Sequence, residues 1–401
     1  MLPSILQDFL SENKLTCDIS AIFHATKHDR KDIVELLLKD PREFGSLDPN
    51  DKPLKRLVDP SDKNNDAIRY ASTLGRKEIV EILLKDPRVD PSNNEVIRWA
   101  SSNGHKEVVE ILLKDERVDP SANNNAAIRD ASYHGHKEVV ELLLKDERVD
   151  PLAENNYAIR WVSGLGHKEI VELLLKDPRV DPSANNAAIR VASENGHKEI
   201  VEILLKDSRV DPSTRNNYAI RYASEYGHKE VVEILLRDPR VDPSAQNNYA
   251  ILKASSRGHK EIVELLLMDL RVDPSVDNNA AIRLVSEYGY KEVVEILLRD
   301  PRVDPSDWDN GAIYWASYRG RKEVVEMLLM DPRVDPSANN AAIRVASDYG
   351  HKEIVELLLM DPRVDPSANN NAAIRVASEN GHKEIVEILL KDSRVDSLVL
   401  T

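Results

Sequence analysis

The chain has 401 residues, and its 55 basic and 70 acidic side chains give it a formal net charge of −15. This acidic balance argues against a nucleic-acid or anionic-membrane surface, because both require a basic patch, and it favours solubility. Hydrophobic residues make up 41% of the chain, which is enough for a packed core and excludes wholesale disorder.

The first predicted element is an N-terminal helix. Apolar residues at helical spacing form one stripe of this segment: Ile5, Leu6, Phe9 and Leu10. We expect residues 1–17 to cap the N-terminal face of the fold that follows. They lack a basic and apolar leader, and no apolar run in the chain approaches the roughly 20 residues of a membrane helix. We therefore expect an intracellular, cytoplasmic protein whose single cysteine, Cys17, is buried or inert.

A repeat occupies the rest of the chain. Eleven of the 14 glycines recur at intervals of 29 to 31 residues: Gly75, Gly104, Gly135, Gly166, Gly196, Gly227, Gly258, Gly289, Gly320, Gly350 and Gly381. A degenerate copy at residues 18–40, with Asp29 in the glycine position, precedes a predicted inserted loop at 41–59. Residues 60–396 hold eleven glycine-bearing repeats, and residues 397–401 form a short tail. The sequence therefore predicts an array and not two or three globular domains.

Each repeat predicts two short helices, as residues 216–244 show. Asn217 is a predicted N-cap of the first helix, because an asparagine side chain accepts hydrogen bonds from the free amide groups there. Gly227 ends that helix, since the left-handed conformation costs glycine little, and Pro239 ends the second helix. Apolar side chains form one face of each helix: Ala219, Ile220 and Ala223 in the first, and Val231, Val232, Leu235 and Leu236 in the second.

The fold class follows from the size of these pairs. A helix pair of about 20 residues cannot bury its apolar face alone, so it must stack on its neighbours. We predict an all-α, helix-turn-helix solenoid of about 12 stacked repeats of about 31 residues each. The run Gly-His-Lys-Glu-Val-Val-Glu-Ile-Leu-Leu at 227–236 resembles the second helix of an ankyrin repeat, and Ala-Ile-Arg-x-Ala-Ser resembles that family's first helix. The resemblance covers about residues 18–396.

The chain departs from the ankyrin pattern in two ways. Its period is mostly 31 residues where the family's is about 33, which predicts shortened loops. An arginine replaces the family histidine of the first helix in nine of eleven copies, with Leu252 and Tyr314 as the exceptions. This arginine column consists of Arg69, Arg98, Arg129, Arg160, Arg190, Arg221, Arg283, Arg344 and Arg375. We predict that it bonds acidic or carbonyl groups of adjacent loops, and that Arg160→Ala lowers stability.

The histidines raise a metal-site hypothesis that their spacing argues against. Eight of the 11 follow the repeat glycine directly: His105, His136, His167, His197, His228, His259, His351 and His382. Neighbouring stacked helices lie about 8–10 Å apart, so two such side chains cannot readily share an ion at about 2.0–2.1 Å. We expect these histidines to have a structural role at the start of the second helix. The sequence predicts no metal, no cofactor and no catalytic residue, because no nucleophile or phosphate-loop motif occurs.

The columns that vary between repeats hold most of the aromatic residues. The resemblance implies that residues after the family histidine and before the glycine face a concave groove, which binds partners in ankyrin-repeat proteins. Tyrosine, tryptophan and arginine are also enriched at interaction hot spots. The predicted partner-binding residues are Tyr70, Trp99, Tyr157, Trp161, Tyr218, Tyr222, Tyr226, Tyr249, Trp308, Trp315 and Tyr318. The alternative left open is that these aromatic side chains only cover the seams between stacked helices.

We therefore predict a non-catalytic protein that binds a protein partner through the concave face and the loop tips. Neither nucleic acid nor a membrane is an expected partner. Two other functions stay open: a structural or decoy array without one cognate partner, and an adaptor for ubiquitin machinery. We expect a monomer, with self-association through the C-terminal repeat as the alternative. The linker Asp-Pro-Arg-Val-Asp-Pro-Ser-Ala-Asn-Asn is similar to those of the expanded ankyrin-repeat proteins of giant DNA viruses and amoebae, which implies a host cell if the protein is viral.

Overall fold

The computed structural model describes residues 3–16, 18–39, 58–92 and 94–395. Within these ranges the only regular secondary structure is helical, and the helices come in pairs, which confirms the predicted all-α repeat fold. Cys17, most of the predicted inserted loop at 41–59 and the tail at 397–401 lie outside the described residues.

The described residues form 25 α-helices, of which α1 (Ser4–Glu12) precedes twelve pairs. In each pair the first helix ends before the repeat glycine, or before its equivalent in the degenerate copy, and the second helix follows it. The first helices are α2 (Ile19–Lys27), α4 (Asp62–Thr73), α6 (Glu95–Ser102), α8 (Ala122–Tyr133), α10 (Ala153–Leu165), α12 (Ala187–Glu194), α14 (Thr214–Tyr226), α16 (Ala245–Arg257), α18 (Val276–Tyr288), α20 (Asp307–Tyr318), α22 (Ala341–Asp348) and α24 (Ala368–Glu379). The second helices are α3 (Lys31–Leu38), α5 (Lys77–Lys85), α7 (Lys106–Lys114), α9 (Lys137–Leu144), α11 (Lys168–Lys176), α13 (Lys198–Leu205), α15 (Lys229–Leu236), α17 (Lys260–Met268), α19 (Lys291–Arg299), α21 (Lys322–Met330), α23 (Lys352–Met360) and α25 (Lys383–Leu390). Short 3₁₀ segments, Ala184–Asn186 and Ala338–Asn340, precede α12 and α22.

The chain divides into two compact units, residues 1–191 and residues 192–401. In the N-terminal unit, α1 buries Leu6 and Phe9 and packs against α3. In the N-terminal unit, the first helices from α2 to α10 pack against one another in order, as do the second helices from α3 to α11. In the C-terminal unit, the same holds for the first helices from α14 to α24 and for the second helices from α13 to α25. This arrangement places these first helices of each unit on one side, which we call the first-helix face.

The core of each unit is a series of apolar layers, one for each repeat. In α14 and α15, the buried apolar side chains are Ala219, Ile220, Ala223, Val231, Val232 and Leu235. Complete burial of one branched side chain stabilises a fold by about 1.5–3 kcal/mol. Because the side chains of a layer are buried by the neighbouring repeats, each layer adds to stability only where it contacts the next. Gly227 ends α14 in the left-handed conformation with φ of 85°, which confirms the predicted helix end.

The start of the first helices differs from the prediction. Residues 215–217 have φ between 52° and 57° and form a left-handed turn before the right-handed part of α14. Asn217 is not an N-cap, because its Oδ1 accepts the backbone N–H of Asp242 in the next repeat at 2.8 Å. Asparagine tolerates the left-handed region better than most residues, which explains the recurring Asn-Asn pair. The other left-handed turns of three residues lie at 123–125, 154–156, 246–248, 277–279, 308–310 and 369–371.

A second bond between repeats comes from the arginine of the Asp-x-Arg-Val linker. Arg240 donates from Nε and Nη2 to both carboxylate oxygens of Asp238, at 2.9 and 2.6 Å. Its Nη1 reaches back to the carbonyl oxygen of Val210 at 2.7 Å. The Arg240 guanidinium lowers the pKa of the Asp238 carboxyl group. Equivalent arginines that reach the preceding valine are Arg88, Arg117, Arg148, Arg179, Arg271, Arg302, Arg333, Arg363 and Arg394.

The repeat histidines supply a third bond between repeats. Nε2 of His259 donates to the carbonyl oxygen of Glu225 at 2.9 Å, near the end of the preceding first helix. The same bond is made by His105, His136, His167, His228, His351 and His382. The predicted structural role is therefore confirmed for these residues, although they act on the preceding repeat and form no side-chain cap on their own helix.

Candidate functional site

The aromatic residues predicted from the variable columns lie on the first-helix face, where they form separate groups. In the N-terminal unit, the Tyr70 ring lies against Phe23 with centroids 5.3 Å apart. These two residues and Trp99 line a depression of about 370 Å³, together with Asp66, Arg69 and Thr73. Trp99 is 40% exposed, and the Arg98 guanidinium lies 5.5 Å from the centre of its ring. The depression is thus open, aromatic and bordered by charges of both signs.

A second group in the N-terminal unit surrounds Trp161. Its ring contacts Tyr157 and Tyr133, with centroids 5.6 and 5.9 Å away, and it stays 39% exposed. Arg129 and Arg160 lie 5.2 and 5.8 Å from the centre of the Tyr157 ring. Packing against Tyr157 and Tyr133 fixes the Trp161 indole while leaving part of it exposed to solvent.

The C-terminal unit contains a tyrosine cluster, formed by Tyr218, Tyr222, Tyr226 and Tyr249. The rings of Tyr218 and Tyr222 are stacked with centroids 4.0 Å apart. Tyr222 also lies 6.0 Å from Tyr249 and 6.1 Å from Tyr226, measured between ring centroids. The structure therefore brings together four residues that the sequence predicted from three different columns.

Charged groups hold the tyrosine cluster in place. The Tyr249 hydroxyl donates to the buried carboxylate of Glu225 at 2.6 Å. Burial, and next this hydrogen bond, raise the pKa of Tyr249 well above its usual range, so the phenol stays protonated as a donor. Arg221 is almost fully buried and lies 5.0 Å from the centre of the Tyr249 ring. These contacts tie α14 to α16 and pre-organise the exposed edges of the rings.

A tryptophan cluster, formed by Trp308, Tyr314, Trp315, Tyr318 and Tyr349, is the other aromatic group of the C-terminal unit. The indole planes of Trp308 and Trp315 are parallel within 4°, with ring centroids 6.5 Å apart. Trp308 is 50% exposed at the tip of a left-handed turn, with φ of 54°. Tyr318 lies 5.5 Å from Trp315 and 4.4 Å from Tyr349, measured between ring centroids.

Four aromatic members of these groups were not among the predicted binding residues: Phe23, Tyr133, Tyr314 and Tyr349. Tyr133 and Tyr349 are near the repeat glycine, and each contacts a predicted aromatic residue of an adjacent repeat. Tyr314 replaces an arginine, a signal that the sequence did carry. Aromatic residues near the repeat glycine of adjacent repeats are the pattern that could have identified Tyr133 and Tyr349.

The arginine column behaves only partly as predicted. Arg98 bonds a carboxylate in the next repeat, Asp130, at 2.7 Å, which is the expected kind of partner. Arg221 instead donates to carbonyl groups of the left-handed turn in its own repeat, such as Asn216 at 2.8 Å. Arg160 lies over the rings of Tyr157 and Trp161 at 5.8 Å and bonds no loop within the residues that the structure describes, so the predicted loop bond is wrong at that residue.

The part of the chain that the structure describes also bears on two other features, a metal site and a membrane-spanning helix. No group of three or more His, Cys, Asp or Glu side chains in that part of the chain is arranged to hold a metal ion. None of its helices combines the length and the apolar character needed to cross a bilayer.

Comparison with known proteins supports a repeat family. A family model described as ankyrin repeats, in three copies, matches five stretches of the chain: residues 86–155, 156–247, 221–309, 250–340 and 313–398. Together these matches cover more than half of the sequence and run through both units. No curated protein matches the chain.

Proposed function

Because the chain belongs to the ankyrin-repeat family, we propose that it binds a protein partner through its first-helix face and the tips of its left-handed turns. The observation that carries this proposal is the set of half-open, ordered aromatic rings on that face. Trp99, Trp161 and Trp308 each leave about half or somewhat less of their surface exposed, and each is held by a neighbouring ring or guanidinium. Buried tryptophan and tyrosine anchors carry much of the binding energy of protein interfaces.

Pre-organisation of the rings supports the same function. A side chain that is already fixed loses little conformational entropy when a partner covers it, whereas ordering a free side chain costs about 0.5–1.5 kcal/mol. Tyr249 is fixed by its bond to Glu225, and Tyr218 by a 2.8 Å bond from its hydroxyl to Glu194. If the rings served only to cover the seams between stacked helices, we would expect them to be buried. Tyr226 is instead 49% exposed.

The chemistry on this face suits binding and not catalysis. Two of its carboxylates, Glu225 and Asp130, are engaged by a phenol and a guanidinium group and are held as structural acceptors. We propose a non-catalytic, intracellular protein that acts as a monomer. The similarity of its linkers to those of giant viruses and amoebae stays a prediction, as do the adaptor for ubiquitin machinery and the array without a cognate partner.

The test is a comparison of two double variants of the full chain. Trp161→Ala/Tyr222→Ala removes one aromatic ring of the first-helix face from each unit. Glu141→Ala/Glu233→Ala changes half-exposed carboxylates on second helices and is the matched control. We expect a specific protein captured from cytosol by the wild type to be lost with the first variant and kept with the second, both of which should show the wild-type helical circular dichroism. Equal recovery with both variants would overturn the proposal and favour an array without a cognate partner.

A further inference from the structure

Two arginines of the arginine column, Arg221 and Arg283, fill the gap beside left-handed turns of the C-terminal unit. Arg221 donates from Nε to the carbonyl oxygen of Asn216 at 2.8 Å and from Nη2 to that of Arg215 at 3.1 Å. Arg283 makes the same two bonds, at 3.0 and 2.7 Å, to its own turn at 277–279. In both repeats, one guanidinium therefore donates two hydrogen bonds to two carbonyl groups of a left-handed turn.

Two repeats of this unit lack this arginine, at Leu252 and Tyr314, and a depression lies at the second of them. Tyr314 stands five residues after Asp309 and six after Trp308, the offsets that separate Arg221 from its two acceptors. A phenol has a single O–H donor, so it cannot donate to two carbonyl groups as a guanidinium does. The Tyr314 ring instead contacts Trp315, with centroids 5.2 Å apart. A depression of about 350 Å³ lies here, lined by Trp308, Asp309, Gly311, Tyr314, Trp315, Asn339, Ala341 and Arg344.

The walls of this depression correspond to the surroundings of Arg283 one repeat earlier. Arg283 lies between its own left-handed turn, its own helix α18 and the first residues of the next repeat, where its guanidinium is 4.6 Å from the centre of the Trp308 ring. The depression likewise lies between the turn at 308–310, α20 and the first residues of the repeat that follows. Its shape is thus that of a guanidinium site whose own arginine is missing.

We propose that this depression binds an arginine side chain of the partner protein, presented on an extended segment. The inference rests on the proposed partner-binding function and names the group that is recognised. The carbonyl groups of Trp308 and Asp309 would accept the guanidinium N–H groups, as the equivalent carbonyl groups accept those of Arg221. The ring faces of Tyr314 and Trp315 supply cation–π contact, and the Asp309 carboxylate supplies opposite charge.

The charges around the depression fit a cation. Asp309 is in its wall, and the whole chain has a net charge of −15, which attracts basic segments. Arg344 is the opposing charge, but the chain already holds two arginines beside one ring, since Arg129 and Arg160 lie 5.2 and 5.8 Å from the centre of Tyr157. Arginine fits better than lysine, because only the planar guanidinium can stack on a ring and donate to two carbonyl groups together.

Gly311 explains how Trp308 becomes a wall of this site. Equivalent positions in other repeats hold alanine, tyrosine or, at Asp66 and Glu95, an acidic residue. A Cβ at Gly311 would lie 2.7 Å from Cδ of Arg283 and 2.9 Å from Cε3 of Trp308, so any side chain would crowd both the arginine and the indole. Glycine therefore lets the Trp308 ring fold back over its own repeat, next to Trp315.

The experiment uses the full chain labelled with nitrogen-15 in its four indole groups. The probe is the peptide acetyl-Gly-Arg-Gly-amide, and acetyl-Gly-Lys-Gly-amide is its matched control. We expect saturable shifts of the Trp308 and Trp315 indole signals with the arginine peptide, while those of Trp99 and Trp161 stay unchanged. The lysine peptide should bind at least about tenfold more weakly, a difference of about 1.4 kcal/mol. Equal binding of both peptides, or no shift at Trp308 and Trp315, would overturn the inference.

Substitution of Tyr314, which stands where other repeats have the arginine, gives the decisive control. Tyr314→Arg should fill the depression with the chain's own guanidinium, abolish the peptide-induced shifts and leave the melting temperature unchanged or higher, whereas Tyr314→Phe should retain binding. Shifts that persist in Tyr314→Arg contradict the inference. If that variant is less stable, Gly311→Ala takes its place, because its Cβ crowds Trp308 and Arg283. A moved Trp308 indole signal in the free variant shows that the wall has shifted, and the peptide-induced shifts must then be lost. Failure of these peptide tests leaves the broader function standing, provided that partner capture still depends on Trp161 and Tyr222.

Discussion

Gly227 and His259, one repeat apart, are in direct contact: a Cβ on the glycine would lie 2.7 Å from Cε1 of the imidazole. The ring cannot simply move away, because its Nε2 donates to the carbonyl oxygen of Glu225 at 2.9 Å. The glycine therefore serves two purposes, since it adopts φ of 85° at the helix end and makes room for the histidine of the next repeat.

Gly227→Ala should reduce the free energy of unfolding by more than backbone strain alone. A left-handed alanine costs about 1–2 kcal/mol, and displacement of His259 removes a hydrogen bond of about 1 kcal/mol. The matched control is Gly381→Ala, because Gly381 has φ of 76° but no described atom within 4 Å of its Cβ position. Urea unfolding followed by circular dichroism measures both. Equal losses in the two variants would show that contact with the histidine contributes nothing.

Ser224→Ala should leave stability unchanged or raise it by about 0.5–1 kcal/mol. The Ser224 side chain is fully buried, and its Oγ has no hydrogen-bond partner within the described part of the chain. Removing a buried and unsatisfied hydroxyl group relieves a desolvation cost, and alanine is the better helix former. Thermal unfolding should therefore show an unchanged or higher midpoint.

Ser378→Ala is the control for this substitution, because Ser378 occupies the same column in the last repeat and is exposed. Exposed substitutions usually change stability by less than about 0.5 kcal/mol. A loss of more than about 1 kcal/mol in Ser224→Ala would mean that the hydroxyl group has an acceptor in solution.

Much of the fold could be predicted from the sequence because its signals are local and repeated. The position of Gly227 predicts a left-handed helix end, and the spacing of Val231, Val232 and Leu235 predicts the buried face of α15. The left-handed turn at 215–217 could not be predicted in the same way, because three consecutive non-glycine residues with positive φ are energetically unfavourable in isolation. Bonds from the next repeat, as from Asp242 to Asn217, hold that turn in place.

The candidate site could be predicted in composition but not in geometry. The variable columns predicted which repeats carry aromatic residues on their first helices, and their role in binding stays a prediction. The stack of Tyr218 on Tyr222 lies within one helix and follows from their spacing of four residues. The bond from Tyr249 to Glu225 joins two repeats and depends on their rotation relative to each other, which no local pattern specifies. The proposed role of Tyr314 can be inferred only from the structure, where Arg283 occupies the corresponding gap one repeat earlier.

The linker carboxylates should make stability fall in acid. The Arg240 guanidinium lowers the pKa of Asp238 below its unfolded value of about 3.9. A carboxyl group with a lowered folded-state pKa contributes stability that is fully present above the unfolded pKa and is lost as pH falls through the folded pKa. Asp238→Asn should therefore lower the unfolding free energy by about 1–2 kcal/mol at pH 7, and by less near pH 3. Urea unfolding at a series of pH values measures this, and a loss that is independent of pH would contradict the role of the charge.

Asn217→Ala should destabilise the chain more than Asn216→Ala, although both residues occupy the same left-handed turn. Their φ angles are 57° and 56°, so the backbone cost of alanine, about 1–2 kcal/mol, is the same for both. The Asn216 side chain is exposed, whereas Oδ1 of Asn217 accepts the N–H of Asp242 at 2.8 Å. Loss of that acceptor adds about 1–3 kcal/mol, because it leaves a half-buried amide unsatisfied. Hydrogen exchange at the Asp242 amide should accelerate only in Asn217→Ala, and equal acceleration in both variants would show that the turn conformation, and not the side-chain bond, joins the two repeats.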